Sequence, residues 1–364
     1  MKKAKLFGLG VVALSSTLLL AACGSKSDDS SKDSSKTDNH SVALVTDIGG
    51  VDDRSFNQSA WEGLQEWGKK HDMKKGTGGY DYIQSNDASQ YTTNVNSAVQ
   101  NGFKTIFGIG YLLAPSIKEA AAQNANVNFA IIDDVVEADN VVSATFKDNE
   151  AAYLAGVAAA ETTTTNKVGF IGGEEGAVID RFQAGFEKGV EDTAKKLGKE
   201  VTVDVQYAGS FGDPAKGKAL AASMYQNNAD IIYHASGGTG AGVFQEAKAI
   251  DEQLTESELA TKQVWVIGVD SDQQDEGKFK TKDGKEANFT LTSTLKGVGA
   301  AVEDISTRAL DDKFPGGQHL EYGLKDGGVS ITDGYLSDAA KKAIDEAKQE
   351  IIDGKITIPE APEK

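Results

Sequence analysis

The stretch VALVTDIGGVDDRSFNQSAWEGLQEWGKK (42–70) decides the fold. An apolar run, VALVT (42–46), gives way to a turn rich in Gly and Asp, and an amphipathic stretch follows over 57–70. The same phrase recurs down the chain. YDYIQ (80–84), TIFGIG (105–110) and NFAIID (128–133) read with VALVT as buried parallel strands, separated by helical stretches at 88–101 and 115–124. VVSATF (141–146) leads into a helix of small residues, NEAAYLAGVAAAE (149–161), and then the pattern restarts. KVGFIGG (167–173), VTVDVQYAG (201–209), DIIYHAS (230–236), VWVIGVD (264–270) and NFTLTST (288–294) form a second set of strands. Helices are expected at about 178–196, 214–227, 241–253 and 297–311. Two consecutive units of this kind predict an α/β protein of two lobes, each a parallel sheet flanked by helices. A ligand cleft is expected between them, at the strand C-termini.

The first 22 residues read as an export signal, with Lys2, Lys3 and Lys5 ahead of an apolar stretch from Leu6 to Leu20. That stretch is too short for a membrane span of roughly 20 apolar residues. It ends at Leu20-Ala21-Ala22-Cys23-Gly24, which puts the only cysteine at the expected cleavage point. This is similar to the lipobox of bacterial lipoproteins, in which the cysteine becomes the lipidated N-terminus. A diacylglyceryl group has two chains, enough for stable anchoring. From Ser25 to Asn39 there is no apolar residue, so 23–40 is expected to be a solvated tether on the outer face of the cell membrane.

Composition removes several function classes. The 364 residues carry 37 basic and 55 acidic side chains, a net −18, and loss of the leader with its three lysines takes this to −21. Such a charge argues against nucleic acid and against docking on anionic lipid through basic patches. One cysteine excludes an internal disulfide and thiolate zinc sites. His40, His71, His234 and His319 lack the short spacings of metal-dependent hydrolases, and no Ser elbow or nucleophile–base pair can be assembled. GGTGAG (237–242) matches neither nucleotide-binding glycine fingerprint. No cofactor is expected. The cluster Asp47, Asp52 and Asp53 keeps metal-assisted hydrolysis open as a lesser alternative.

TDIGGVDDRSFNQSAWEGL (46–64), FAIID (129–133), AAYLAGVAAA (151–160), FQAGFEKGV (182–190), GSFGDPAKGKALA (209–221), GGTGAGVF (237–244), VIGVDSDQ (266–273) and TSTLKGV (292–298) stand in this order. Together they resemble the basic membrane protein family of bacterial lipoproteins, substrate-binding components of ABC transporters for nucleosides. The resemblance covers roughly 41–335. It implies the two-lobed type I periplasmic-binding-protein fold, whose chain crosses between lobes three times. Lobe 1 is then expected to hold 41–146 plus about 295–322, and lobe 2 about 147–294 plus about 323–364. It further implies a nucleoside ligand, purine nucleosides foremost, a permease and an ATPase as partners, and a monomer without enzymatic activity. A sensing or adhesion lipoprotein would share the same cleft.

The candidate site residues lie just past strand ends. Asp47 and Phe56-Asn57 are implied to line the nucleoside site: a purine suits a flat aromatic face and a carboxylate or amide for its ring edge. Taken alone, Asp47 also reads as a turn aspartate and Phe56 as a residue stapling the helix start. Strand parity leaves Asp133 and Asp134 undecided, and the resemblance favours Asp133. Asp270 is the analogous carboxylate of the second lobe, suited to accept from two ribose hydroxyls. Lys296 resembles the family lysine that reaches the ligand, though by position it could be a surface lysine at a helix start. For a second aromatic wall, Phe211 in a Gly-Ser-Phe-Gly loop is preferred over Phe182, which could belong to the core. Gly238 is expected to bring its backbone N–H close to the ribose.

Overall fold

The computed structural model describes residues 40–363. The signal segment, Cys23 and almost all of the expected tether lie outside them.

Two six-stranded sheets share one plan. The first contains β1 (Val42–Thr46), β2 (Tyr80–Ile83), β3 (Thr105–Ile109), β4 (Asn128–Ile132), β5 (Val141–Phe146) and β13 (His319–Tyr322). The second contains β6 (Lys167–Gly172), β7 (Thr202–Tyr207), β8 (Ile231–Ala235), β9 (Trp265–Gly268), β12 (Thr290–Lys296) and β14 (Val329–Ile331). Their orders are β13-β5-β4-β3-β1-β2 and β14-β12-β9-β8-β6-β7, the same arrangement twice. All pairings within them are parallel except that of β14, which runs antiparallel to β12. A small hairpin, β10 (Lys278–Lys280) and β11 (Glu286–Asn288), takes up the start of the expected strand 288–294. A register shift between Thr290 and Thr292 then opens β12.

The central strands β1 and β3 are buried along their whole length, as unbroken apolar runs covered on both faces must be. YDYIQ departs from this expectation. As β2 it is an edge strand, only half-buried, because its outer side has no strand neighbour.

Helices α1 (Phe56–Lys70), α2 (Tyr91–Gln100), α3 (Ala114–Gln123) and α9 (Val298–Leu310) flank the first sheet. The second is flanked by α4 (Asp148–Thr162), α5 (Ala177–Leu197), α6 (Pro214–Gln226), α7 (Gly240–Asp251), α8 (Glu256–Lys262) and α10 (Asp338–Ile352). In α1, Asn57, Ala60, Trp61, Leu64, Trp67 and Gly68 bury one helical face, and the Asp53 carboxylate caps its open N–H groups. The small residues of α4 serve close packing: a Cβ on Gly156 would stand 2.3 Å from the Phe186 carbonyl, and one on Gly189 2.1 Å from that of Tyr153. Each sheet reverses its winding beside its first strand, at β1/β3 and at β6/β8, the position at which open α/β sheets form a ligand crevice. No helix among the described residues is long and apolar enough to cross a membrane.

Candidate functional site

Strand ends from both sheets converge on one cavity with about 500 Å³ of space free of protein atoms, its mouth included. From the first sheet come Asp47 after β1, Gly110 and Tyr111 after β3, and Asp133 after β4. The second contributes Ala235 to Gly237 at the end of β8, Asp270 after β9 and Lys296 at the end of β12. The first turn of α1 supplies Phe56 and Asn57, and α5 supplies Phe182.

Two of the carboxylates are set by an unusual backbone. Asp133 and Asp270 have φ of 72° and 64°, in the left-handed region that few residues other than glycine enter. They close corresponding strands of the two sheets, and such conformations collect at functional sites because each costs on the order of 1–3 kcal/mol.

Asp47 combines the two roles open to it. Its Oδ1 accepts from Gly49 N–H (2.9 Å), closing a turn, and from Asn57 Nδ2 (2.7 Å). Its Oδ2 has no partner among the described residues and lies beside Gly110 and Phe56 at the cavity wall. Asn57 Nδ2 donates also to Asp53 Oδ2 (2.9 Å), which fixes the amide and leaves its Oδ1 buried without a partner. Asp133 Oδ1 and the Tyr111 hydroxyl, both of cavity-lining residues, are buried and unpartnered as well. Buried polar atoms are rarely left so, and three around one cavity mark it as a place for a polar ligand.

Lys296 is neither exposed nor free. Its side chain is 3% exposed, and Nζ stands 2.6 Å from Asp133 Oδ2 and 3.0 Å from Asp148 Oδ1. Arg181 holds Asp148 from the other side at 3.2 Å. Nζ also lies 5.2 Å from the ring centre of Phe56, 5.1 Å from Phe146 and 5.5 Å from Phe182. Burial alone would depress the Lys296 ammonium, but Asp133, Asp148 and Asp270 outweigh it and hold the lysine charged. Burial pushes Asp133 upward too, and the ammonium beside it opposes that. Asp47 and Asp270 have no such neighbour in contact. Burial raises each to about 7, against the Gly49 and Asn57 hydrogen bonds for Asp47 and against the more distant Lys296 and the Ser55 hydroxyl for Asp270.

The two halves also meet directly across the cleft mouth. Ser55 Oγ donates to Asp270 Oδ2 (2.7 Å), Ser271 Oγ to the Ser55 carbonyl (3.2 Å) and Gln273 Nε2 to the Arg54 carbonyl (3.0 Å). The Arg54 guanidinium pairs with Glu276. Gln273 is oriented from behind by buried His234, kept neutral by burial with its pKa down at about 4.

Of the residues expected from sequence, Asp47, Phe56, Asn57, Asp133, Phe211, Asp270 and Lys296 all line this cavity, and so does Phe182. Asp134 does not. Gly237 lines the cavity in the tight turn after β8, in the left-handed conformation (φ 53°), and Gly238 follows it directly, beside the Phe211 carbonyl. The metal cluster considered at Asp47, Asp52 and Asp53 does not form. Asp53 spends both oxygens on Ser55, Asn57 and Gln58, Asp52 is exposed, and no group of three metal-ligating side chains occurs among the described residues. Tyr111, Ser55, Asp148 and Arg181 were not singled out from sequence. Tyr111 stands just past the end of β3, as Asp47 does past β1, whereas the other three gain meaning only once the chain is folded.

Residues 40–361 match the family model described as Bmp, ABC transporter substrate-binding protein PnrA-like. The chain is 51% identical over 358 residues to the ABC transporter nucleoside-binding protein BmpA of Lactococcus lactis subsp. cremoris, covering 98% of this chain and 99% of that one. It is 33% identical to basic membrane protein A of Borreliella burgdorferi over 87% of both chains. Among solved structures, an ABC transporter solute-binding protein from Aeropyrum pernix K1 superposes with a TM-score of 0.75 at 24% identity, covering 89% of this chain and 94% of that one. The twin sheets are therefore those of the type I periplasmic binding fold, and the family is one of substrate-binding proteins rather than enzymes. The chain belongs to the Bmp family of PnrA-like ABC transporter substrate-binding proteins.

Proposed function

We propose that this protein captures nucleosides, purine nucleosides foremost, outside the cell membrane and hands them to an ABC importer. Lipid on Cys23 tethers it, and it acts as a monomer. The observation that carries the reading is the pair of orphaned acceptors, Asn57 Oδ1 and Asp133 Oδ1, in a cavity walled by Phe56, Phe182 and Phe211. Aromatic faces suit a base, and acceptors suit its N–H edge and the hydroxyls of a sugar. The name of the Lactococcus relative supports the same ligand class. Asp270 keeps one oxygen clear of Ser55 and, with Asp133, can receive the ribose diol. Phosphate is disfavoured, because the lysine at the cavity is already engaged by two carboxylates.

Lobes of 41–146 with about 295–322, and about 147–294 with about 323–364, would open and close by bending at the crossovers between them. The contacts of Ser55, Ser271 and Gln273 across the mouth belong to the closed form. Closure around a ligand gives a permease a shape that distinguishes loaded from empty protein. A hydrolase reading has no support in the site, since Asp53 is consumed as a helix cap. A thermal-shift panel of nucleosides, bases, nucleotides and sugars tests the ligand class. Stabilisation by nucleosides alone is expected, and stabilisation by free sugars alone would defeat the proposal. Cys23→Ala should release the protein or leave it unprocessed; a variant that stays bound through a salt wash would refute the anchor.

A further inference from the structure

Two residues that line the cavity carry unpartnered acceptors that differ in kind. Asn57 Oδ1 is an acceptor under all conditions. Both amide hydrogens are committed, one to Asp47 Oδ1 and one to Asp53 Oδ2, so the group cannot turn round. Asp47 Oδ2, at the wall of the same cavity, is not fixed in this way. Because Asp47 Oδ1 already receives N–H donors from Gly49 and Asn57, any proton taken up by this carboxyl must sit on Oδ2, the oxygen at the cavity wall. The wall therefore presents acceptor–acceptor when Asp47 is ionised and acceptor–donor when it is protonated.

Purines differ at that same edge. A 2-amino-6-oxopurine carries an N1–H donor beside its amino group, and a 6-aminopurine carries a bare N1 acceptor beside its amino group. Resting on the nucleoside reading above, we propose that Asp47 is a protonation-dependent selectivity switch. Ionised, it favours nucleosides with an N1–H, guanosine above inosine because Asn57 Oδ1 takes the 2-amino group; protonated, it favours adenosine. An unpaired buried donor or acceptor is the source of strong discrimination of this type.

The switch sits in a usable range, since burial holds Asp47 at about 7. The titratable groups facing it are Asp53 in the same loop, Glu174 after β6, and the hydroxyls of Tyr91 on α2 and Tyr111 before α3. The two tyrosines are pushed further above neutrality by burial, so they stay protonated throughout. Asp270 also titrates at about 7. It comes from the other sheet, and a group facing the ribose cancels when two ribosides are compared.

The test is the ratio of dissociation constants for guanosine and adenosine, measured by calorimetry between about pH 5.5 and pH 8, where both nucleosides stay essentially uncharged. The preference for guanosine should rise with pH by up to about tenfold per unit around neutrality. In Asp47→Asn the slope should vanish while adenosine still binds. The ligand 1-methylguanosine, which lacks the N1–H, should lose guanosine's advantage in the unaltered protein, so the test survives a variant that fails to fold. A ratio independent of pH with both nucleosides bound overturns the switch and leaves the nucleoside reading intact. A slope that persists in Asp47→Asn also overturns it. Failure of both to bind at every pH overturns the nucleoside reading itself.

Discussion

Replacing Lys296 with methionine keeps the length of the side chain and removes its charge. The ammonium is the common partner of Asp133 at 2.6 Å and Asp148 at 3.0 Å, and its side chain is 3% exposed. Asp148 retains Arg181, but Asp133 has no second basic partner among the described residues, and its Oδ1 is already orphaned. Breaking a buried ion pair from one side typically costs about 3–5 kcal/mol, far more than the pair contributes relative to apolar packing. At about 2 °C per kcal/mol for a chain of this size, the melting temperature should fall by about 6–10 °C at pH 8. The variant can escape part of that cost by protonating Asp133. A carboxyl whose folded pKa is raised further stabilises the fold below its unfolded value and loses that contribution as pH rises through the folded value. The deficit should therefore shrink steadily as pH falls from about 8 to about 5. Adding Asp133→Asn to Lys296→Met should recover much of the loss, because no buried charge is then left alone. Differential scanning fluorimetry across that range, on both variants, reads all of this. A shift below about 2 °C that ignores pH would refute the reasoning, since it would mean that Lys296 does not neutralise the buried carboxylates.

Phe56→Ala should weaken purine nucleosides by about 1–3 kcal/mol in calorimetry, the usual worth of base–aromatic stacking, and free ribose should be unaffected. Asp270, raised to about 7 by burial, stabilises the fold most below its unfolded value and progressively less as pH climbs through neutrality. In Asp270→Asn that decline of the melting temperature with pH should flatten. If Asp270 receives the ribose hydroxyls as proposed, the same variant should lose more affinity for a riboside than for the free base, and it also weakens the bond from the Ser55 hydroxyl. Small-angle scattering should show compaction at saturating nucleoside, and an unchanged radius of gyration would count against lobe closure.

The parts of this molecule that could be read in advance are those set by local pattern. Buried strands announce themselves as apolar runs, and a parallel sheet obliges its ligand groups to follow strand C-termini. That rule marked the strand ends that carry Asp47, Asp133, Asp270 and Lys296, and the family resemblance chose these residues at them. The pattern fails where an element is short and polar. HLEY becomes β13 only because β5 offers it an edge, and VSI becomes β14 on the exposed side of β12. Neither has an apolar run of its own. Lys296 shows the same limit at one side chain. A lysine before a helix reads as a surface residue until Asp133, from a strand more than 160 positions earlier, is brought to 2.6 Å. Ser55 and Gln273 likewise look like ordinary loop residues, and their partners lie in the opposite half of the molecule.

On the proposed function, the cavity takes an uncharged nucleoside and refuses its phosphate ester. A phosphate within about 4 Å of an ionised Asp47 or Asp270 would meet a repulsion of about 4 kcal/mol at an effective dielectric of 20, close to a thousandfold in affinity. Calorimetric titration of the purified protein with guanosine and with its 5′-monophosphate at pH 8 measures that difference directly. Tight one-to-one binding of guanosine is expected, with a loss of at least about a hundredfold for the monophosphate. Equal affinities, or binding of the monophosphate alone, would contradict it.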